Sequence, residues 1–282
     1  MPVPALRVLI ITMNDRERTA VDLLFQDLGW ASEPTIEVDG ERSLAVERHH
    51  QQVQGNLEAA MTVMQSLVKS KFDHVIGFGC CGVFEPEHLG KAFLVAGASY
   101  QEIGKVGRDK TPVLVVGLKP RPHLPLDRHA HTEIYGDLAV ACDRAGLAKP
   151  RQAVVFGVDK VVTALPANPA VPAELTTHLP GSNGAPQALD TYLGRLAGFK
   201  TTHSPGYVPI VDMESFGFLR GADSTTQYLS ILRIATDAVE DKNNPAAGQD
   251  TDTDQSTRLN EGAIYLLCLL YARARGGAVN EP

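Results

Sequence analysis

The chain has 282 residues, 44% of them hydrophobic and 21% charged, which suits one globular domain spanning 1–282 with a core of its own. A formal net charge of -7 argues against nucleic acid as a partner, because phosphate binding calls for a basic face. Cys80, Cys81, Cys142 and Cys268 are too few and too scattered for a secreted disulfide framework. They form no C-x-x-C pair, so no metal site is expected. The apolar run Leu6 to Ile11 has no basic region before it and is too short for a signal peptide or a membrane span. The expected setting is cytoplasmic, with no membrane partner.

Leu6 to Thr12 is short, apolar and β-branched, the pattern of a buried strand. After the polar turn Asn14-Asp15, the positions of Val21, Leu23, Leu24 and Leu28 predict a helix ending near Gly29. Residues from Ser43 to Lys71 read as one long helix. His74 to Phe78 reads as a strand that runs into a Gly79-Cys80-Cys81-Gly82 turn. Further strands are expected at Ala92 to Ala96, Pro112 to Leu118, Ala153 to Val158, Tyr207 to Val211 and Tyr228 to Ile234. Helices are expected at Glu133 to Ala145, at Met213 to Arg220 with Asp212 as its cap, and at Leu259 to Ala274. The stretches 166–186 and 240–256 read as long loops. Strands alternating with helices define an α/β protein: a three-layer α/β/α arrangement around a central mixed, largely parallel twisted sheet.

Ligands of open α/β sheets bind at the carboxyl ends of the strands. Glu17, the Gly79–Gly82 segment, Met213-Glu214 and Asp237 all fall there. Taken singly, each has a structural explanation. Glu17 and Glu214 suit the first turn of a helix, where the dipole favours acids. Asp237 suits a turn or a helix cap, and Cys80 and Cys81 suit small buried positions. His49, His50, His123, His129 and His131 lie in polar stretches and read as solvated rather than metal-binding.

Val211-Asp212-Met213-Glu214-Ser215 followed by Arg233-Ile234-Ala235-Thr236-Asp237 resembles the paired signature of the purine nucleoside phosphorylase and methylthioadenosine/S-adenosylhomocysteine nucleosidase superfamily, V-[ED]-M-E-[AS] and, further on, R-x-[IV]-[ST]-D. Ile11-Thr12-Met13 with Glu17 and Val21 resembles the nucleosidase opening. Gly79-Cys80-Cys81-Gly82, with Gly90 and the next strand, resembles the family's G-S-[AC]-G turn. Gly157 and Asp159 resemble its later G-D turn weakly.

The resemblance implies cleavage of the N-glycosidic bond of a purine-type nucleoside, with no cofactor. Breaking this bond builds oxocarbenium character on the sugar and negative charge on the departing base. An acid that protonates the base is worth ~10²–10⁴-fold and must have a raised pKa to work near neutral pH, which burial achieves. A carboxylate that holds the ribose hydroxyls stabilises the developing positive charge. By resemblance Asp237 is the acid, Glu214 holds the ribose, Met213 packs on the sugar and Glu17 activates water. Cys80, Gly82 and Ser215 would line the substrate. Val161 or Val162 stands where the family has an aromatic residue against the base. Phe156, Phe216 and Tyr207 are candidates to stack there, with core packing the favoured reading for each.

The nucleophile is water or phosphate. Phosphorylases of the superfamily carry an arginine before the G-S-C-G turn and a hydroxyl within it. Here Gly77 and Cys80 stand in those places, and Glu17 would repel a phosphate, so hydrolysis is the expected reaction. Phosphorolysis is the alternative, with Arg16, Arg18, Arg121 or Arg128 supplying the phosphate site. A nucleoside-binding protein without catalysis is the second alternative. The resemblance further implies a homo-oligomer, whether dimer, trimer or hexamer.

Overall fold

The computed structural model describes residues 5–32, 35–38, 42–100, 104–106, 112–114, 124–125, 128–157, 206–222, 228–238 and 252–276. Asp159, Val161, Val162, Arg121, His123 and the 166–186 loop lie outside them.

Strand β1 (Leu6–Thr12) is buried on both faces over its second half, as a central parallel strand must be. Asn14 caps helix α1 (Asp15–Asp27), its Oδ1 accepting from the Glu17 N–H at 3.0 Å. Gly29, at φ 72°, ends that helix in the left-handed region.

The expected long helix from Ser43 to Lys71 is instead strand β3 (Arg42–His50) and helix α2 (Asn56–Lys69), separated by Gly55 at φ 129°. Short β2 (Ile36–Val38) is its antiparallel neighbour and reaches only Arg42 to Leu44. The outer half of β3 therefore faces water and carries Glu47, Arg48 and His49 without the apolar alternation that identifies a strand.

Strand β4 (His74–Val83) contains the whole Gly79–Gly82 segment, which is extended chain and not a turn. Strand β5 (Ala92–Tyr100) follows. Short β6 (Gly104–Val106) and β7 (Pro112–Leu114) pair with each other, and β8 (Leu124–Pro125) pairs with β5. Helix α3 (Arg128–Arg144) begins earlier than expected and includes His129 and His131, with His131 buried rather than solvated. Strands β9 (Arg151–Gly157) and β10 (Val208–Asp212) and helix α4 (Ser215–Ala222) lie close to their expected bounds, whereas strand β11 (Tyr228–Ala238) runs four residues past its expected end at Ile234. The expected last helix is two, α5 (Asp252–Gly262) and α6 (Ile264–Gly276). Residues 252–256, read as loop from their polarity, belong to α5, with Thr253 and Asp254 exposed.

The sheet is mixed and largely parallel, in the order β10-β9-β5-β11-β4-β1-β3-β2. Alternate residues feed two cores. Val8, Ile10, Ile76, Phe78, Leu232 and Ile234 pack towards α1, α3, α5 and α6. Leu9, Ile11, Val75 and Ile231 pack towards α2 and α4. Helices thus accompany a mixed sheet, as expected, but the sheet is not a simple open layer. The edge of β4 that faces away from β11 is divided: β1 pairs with His74 to Gly77, and β10 pairs antiparallel with Gly82 and Val83. That second pairing closes β4, β11, β5, β9 and β10 into a five-strand ring.

Helices α2 and α4 touch through glycine. A Cβ on Gly217 would collide with the Asn56 carbonyl, and one on Gly221 would stand 2.6 Å from the Ala60 carbonyl. Because both obstacles are backbone, Gly217→Ala should cost ~1–3 kcal/mol, as overpacking does. Urea unfolding would register this as a lower midpoint with an unchanged m-value.

Candidate active site

The divided edge of β4 creates the site. Between its pairings with β1 and β10, β4 turns the Cys80 N–H towards the first turn of α1, where Glu17 Oε1 accepts it at 3.0 Å. Glu17 Oε2 accepts the Met13 N–H at 2.8 Å. Glu17 is 1% exposed, so it is not a solvated first-turn acid. Its carboxylate bridges the end of β1 to the middle of β4.

Asp212, at the end of β10, takes the Glu214 and Ser215 N–H groups on Oδ1 at 3.2 and 2.9 Å. This caps α4 as expected, although the helix begins at Ser215. Asp212 Oδ2 accepts from Ser215 Oγ and, at 2.6 Å, from Arg233 Nε. Arg233 is 0% exposed and lies over the Phe218 ring at 5.4 Å. Its Nη2 stands 3.8 Å from Glu214 Oε2. Neither Nη atom has a hydrogen-bond partner among the described residues, and neither has Glu214 Oε1. Burial pushes the Glu214 carboxyl well above the ordinary range; Arg233 opposes this, and Glu17 and Asp212 add to it.

Glu17 and Arg233 meet beside Gly79, where a Cβ would collide with Glu17 Oε1 and stand 2.6 Å from Arg233 Nη1. Only glycine leaves this space between a buried carboxylate and a buried guanidinium. Asp237 lies inside β11 rather than beyond its end. It pairs in register with Gly82 after a shift between Ala235 and Asp237, and the bulge re-aims it. Val211 of β10 pairs with the same Gly82 from the other edge, so Gly82 joins the two halves of the signature. The charges of Glu17, Glu214 and Asp237 all reach Cys80. With burial as the main cause, they push its thiol up, which leaves it protonated and no nucleophile.

The structure thus brings Glu17, Glu214, Asp237, Cys80 and Gly82 together. Half-buried Met213, Cys80, Gly82 and Asp237 surround the fully buried Glu17, Glu214 and Arg233. Ser215 belongs to the support, with its hydroxyl on Asp212. Phe156 and Phe216 are buried in the core, and Tyr207 is 39% exposed. Arg233 is the residue whose part sequence reasoning missed. Its signal was a lone charge in the apolar run Leu229 to Ala235.

The α1 arginines turn elsewhere. Arg16 donates to Gln255, and Arg18 pairs with Asp15 at 4.0 Å and Asp22 at 3.9 Å. Asp22 also pairs with Arg48 at 2.7 Å, where Arg18, Arg48, His49 and His50 line a separate cavity of about 230 Å³.

No family model matches the sequence, and no curated protein matches it. Solved structures do match the fold. The 5′-methylthioadenosine/S-adenosylhomocysteine nucleosidase of Helicobacter pylori is 11% identical, with TM-score 0.60 over 94% of this chain and 98% of that one. The futalosine hydrolase of the same species is 10% identical, with TM-score 0.60 over 94% and 97%. The S-adenosylhomocysteine nucleosidase of Streptococcus pyogenes is 15% identical, with TM-score 0.58 over 96% and 98%. The chain therefore has the fold of these nucleosidases along nearly its whole length.

Proposed function

We propose that the protein hydrolyses the N-glycosidic bond of a purine-type nucleoside or nucleoside derivative, releasing free base and sugar. The observation that carries this reading is the buried pair Glu17 and Arg233 beside Gly79, next to Glu214 and Asp237. Glu214 Oε1, buried and without a hydrogen-bond partner among the described residues, accepts hydrogen bonds from the ribose hydroxyls and stabilises the cationic sugar. Met213 packs against the ribose. Glu17 Oε1 and Arg233 Nη1 hold a water between them, the carboxylate taking its proton as oxygen attacks the anomeric carbon. Asp237 gives a proton to the departing base. The purine preference is supported by the signature and by the nucleosidase fold.

Water suits the pocket better than phosphate. Arg233 is committed at Nε to Asp212 and faces two further carboxylates, Glu17 and Glu214. A phosphate would meet excess negative charge in a desolvated place. Free cysteines at all four positions fit the proposed cytoplasmic setting.

A panel of purine nucleosides and their 5′-substituted derivatives, incubated with and without phosphate, tests the reading. Free base and reducing sugar should form in phosphate-free buffer at the same rate as with phosphate. A strict phosphate requirement with sugar 1-phosphate as product would make the protein a phosphorylase. Saturable binding without turnover in either buffer would make it a nucleoside-binding protein.

A further inference from the structure

Asn56 is the first residue of α2 and is 6% exposed. Its own helix does not explain it. Asparagine favours the position just before a helix, where its side chain caps the free N–H groups of the first turn. Here that position belongs to Gly55, which offers only its carbonyl, taken by the Ala59 N–H at 3.0 Å. Asn56 turns its side chain to another helix. Its Oδ1 accepts the Gly217 N–H of α4 at 2.9 Å.

That N–H is one of those a helix leaves without an internal partner in its first turn. Glu214 stands just ahead of the turn, and its carbonyl accepts the Phe218 N–H at 2.9 Å. Asp212 holds the Glu214 and Ser215 N–H groups from two and three residues away. Asn56 holds the Gly217 N–H from a different helix, and only glycine at 217 clears the Asn56 carbonyl. The other end of the same connection leads to Glu17. Gln51 gives its N–H to the Thr12 carbonyl at 2.9 Å. The next residue, Met13, gives its own N–H to Glu17 at 2.8 Å. Segment 51–56 thus joins the support of one buried carboxylate to the support of the other.

We propose that Asn56 is a positioning residue, fixing the first turn of α4 so that Glu214 is aimed at the ribose hydroxyls; this rests on the ribose-holding role given above to Glu214. Without Asn56 Oδ1, a buried N–H lacks its acceptor. The turn escapes that cost by fraying towards water, and Glu214 loses its fixed direction. Alanine at this position removes the acceptor, whereas aspartate keeps it.

Steady-state kinetics of the full chain with two substrates tests the proposal. With a purine ribonucleoside, Asn56→Ala should lower kcat/KM by ~10²-fold, the cost of a group held slightly out of place. With the matching 2′,3′-dideoxynucleoside, which has no hydroxyls for Glu214 to hold, parent and variant should differ by less than about 3-fold. General damage to the protein would slow both substrates alike. Asn56→Asp, which still offers an oxygen to Gly217, should recover most of the loss on the ribonucleoside. Asn56→Ser, too short to reach Gly217, replaces the alanine variant if that one fails to fold. Carbon NMR titration of the Glu214 carboxyl adds a readout that needs no turnover. Burial is the main cause holding that carboxyl high, so in Asn56→Ala it should fall towards the ordinary range, and in Asn56→Asp it should stay high. Three results each overturn the proposal: equal effects of Asn56→Ala on the two substrates, an Asn56→Asp variant as impaired as Asn56→Ala, or a Glu214 titration unchanged in Asn56→Ala. If the parent releases base from no nucleoside, the hydrolytic reading fails by itself, and the titration alone decides the part of Asn56.

Discussion

Asn in place of Asp237 is expected to lower the rate of base release by ~10²–10⁴-fold, with a much smaller change in KM. Asp237 pairs with Gly82 just after the bulge of β11 and is itself half-buried. Asparagine keeps the size and a hydrogen-bond donor, so binding should survive, but it cannot give up a proton to the base. A riboside whose leaving group departs without protonation, such as nitrophenol, separates the two roles. The variant should hydrolyse it nearly as well as the parent. If natural nucleosides lose less than about 3-fold, below the range for a positioned acid, Asp237 is not the leaving-group acid. Equal losses on both substrates would point to a disturbed site, and thermal unfolding would show whether the protein itself had suffered.

Arg233→Met is expected to cost ~3–5 kcal/mol, a large share of the 5–15 kcal/mol by which proteins of this kind are stable. Arg233 is wholly buried, and its removal leaves Asp212 without its ion pair and Glu214 without its neighbouring positive charge. Urea unfolding gives the magnitude, and its pH dependence gives the mechanism. Burial already raises the Glu214 carboxyl, and Arg233 is the main group opposing that rise. A carboxyl raised in the folded state lends stability that is full below its unfolded pKa and is lost as pH climbs through the folded one. Without the arginine the folded value climbs further. The deficit of the variant should therefore be smallest in acid and grow as pH increases. In any folded variant that retains activity, the acid limb of kcat/KM should move to higher pH, because the ribose-holding role proposed for Glu214 requires it to be ionised. A deficit that shrinks towards neutral pH would show that Glu214 is not the group Arg233 protects.

Much of the sheet was legible in the chain. Apolar, β-branched runs marked β1, β5, β9, β10 and β11, because strands buried on both faces have no polar side to confuse the pattern. Two segments misled for opposite reasons. β3 carries its charges on a half that faces water beyond the reach of β2, so its polarity imitated a helix. The Gly79–Gly82 stretch imitated a turn, but Gly79, like Gly77 before it, serves close approach. Gly77 admits the Phe218 ring, which a Cβ would meet at 3.1 Å, and Gly79 admits Glu17 and Arg233. In the site, Glu214 and Asp237 were visible because their spacing follows the chain. Arg233 was visible only as an oddity, since its partners are set by the pairing of β10, β9 and β11.

What the sequence by itself determined is the alternation of strands and helices, the capping of α4 by Asp212, and the paired acidic motifs. All of these rest on local periodicity, local hydrogen bonding and fixed spacing. Only the tertiary structure decided that β4 divides one edge between β1 and β10, and the rest follows from that division. It frees the Cys80 N–H for Glu17, and the ring it closes brings β10 beside β4, where Asp212 meets Arg233 of β11 and Asp237 faces the same glycine as Val211. Backbone pairing across distant strands depends on register and on which edge remains open, and neither quantity is written in any one stretch of the chain.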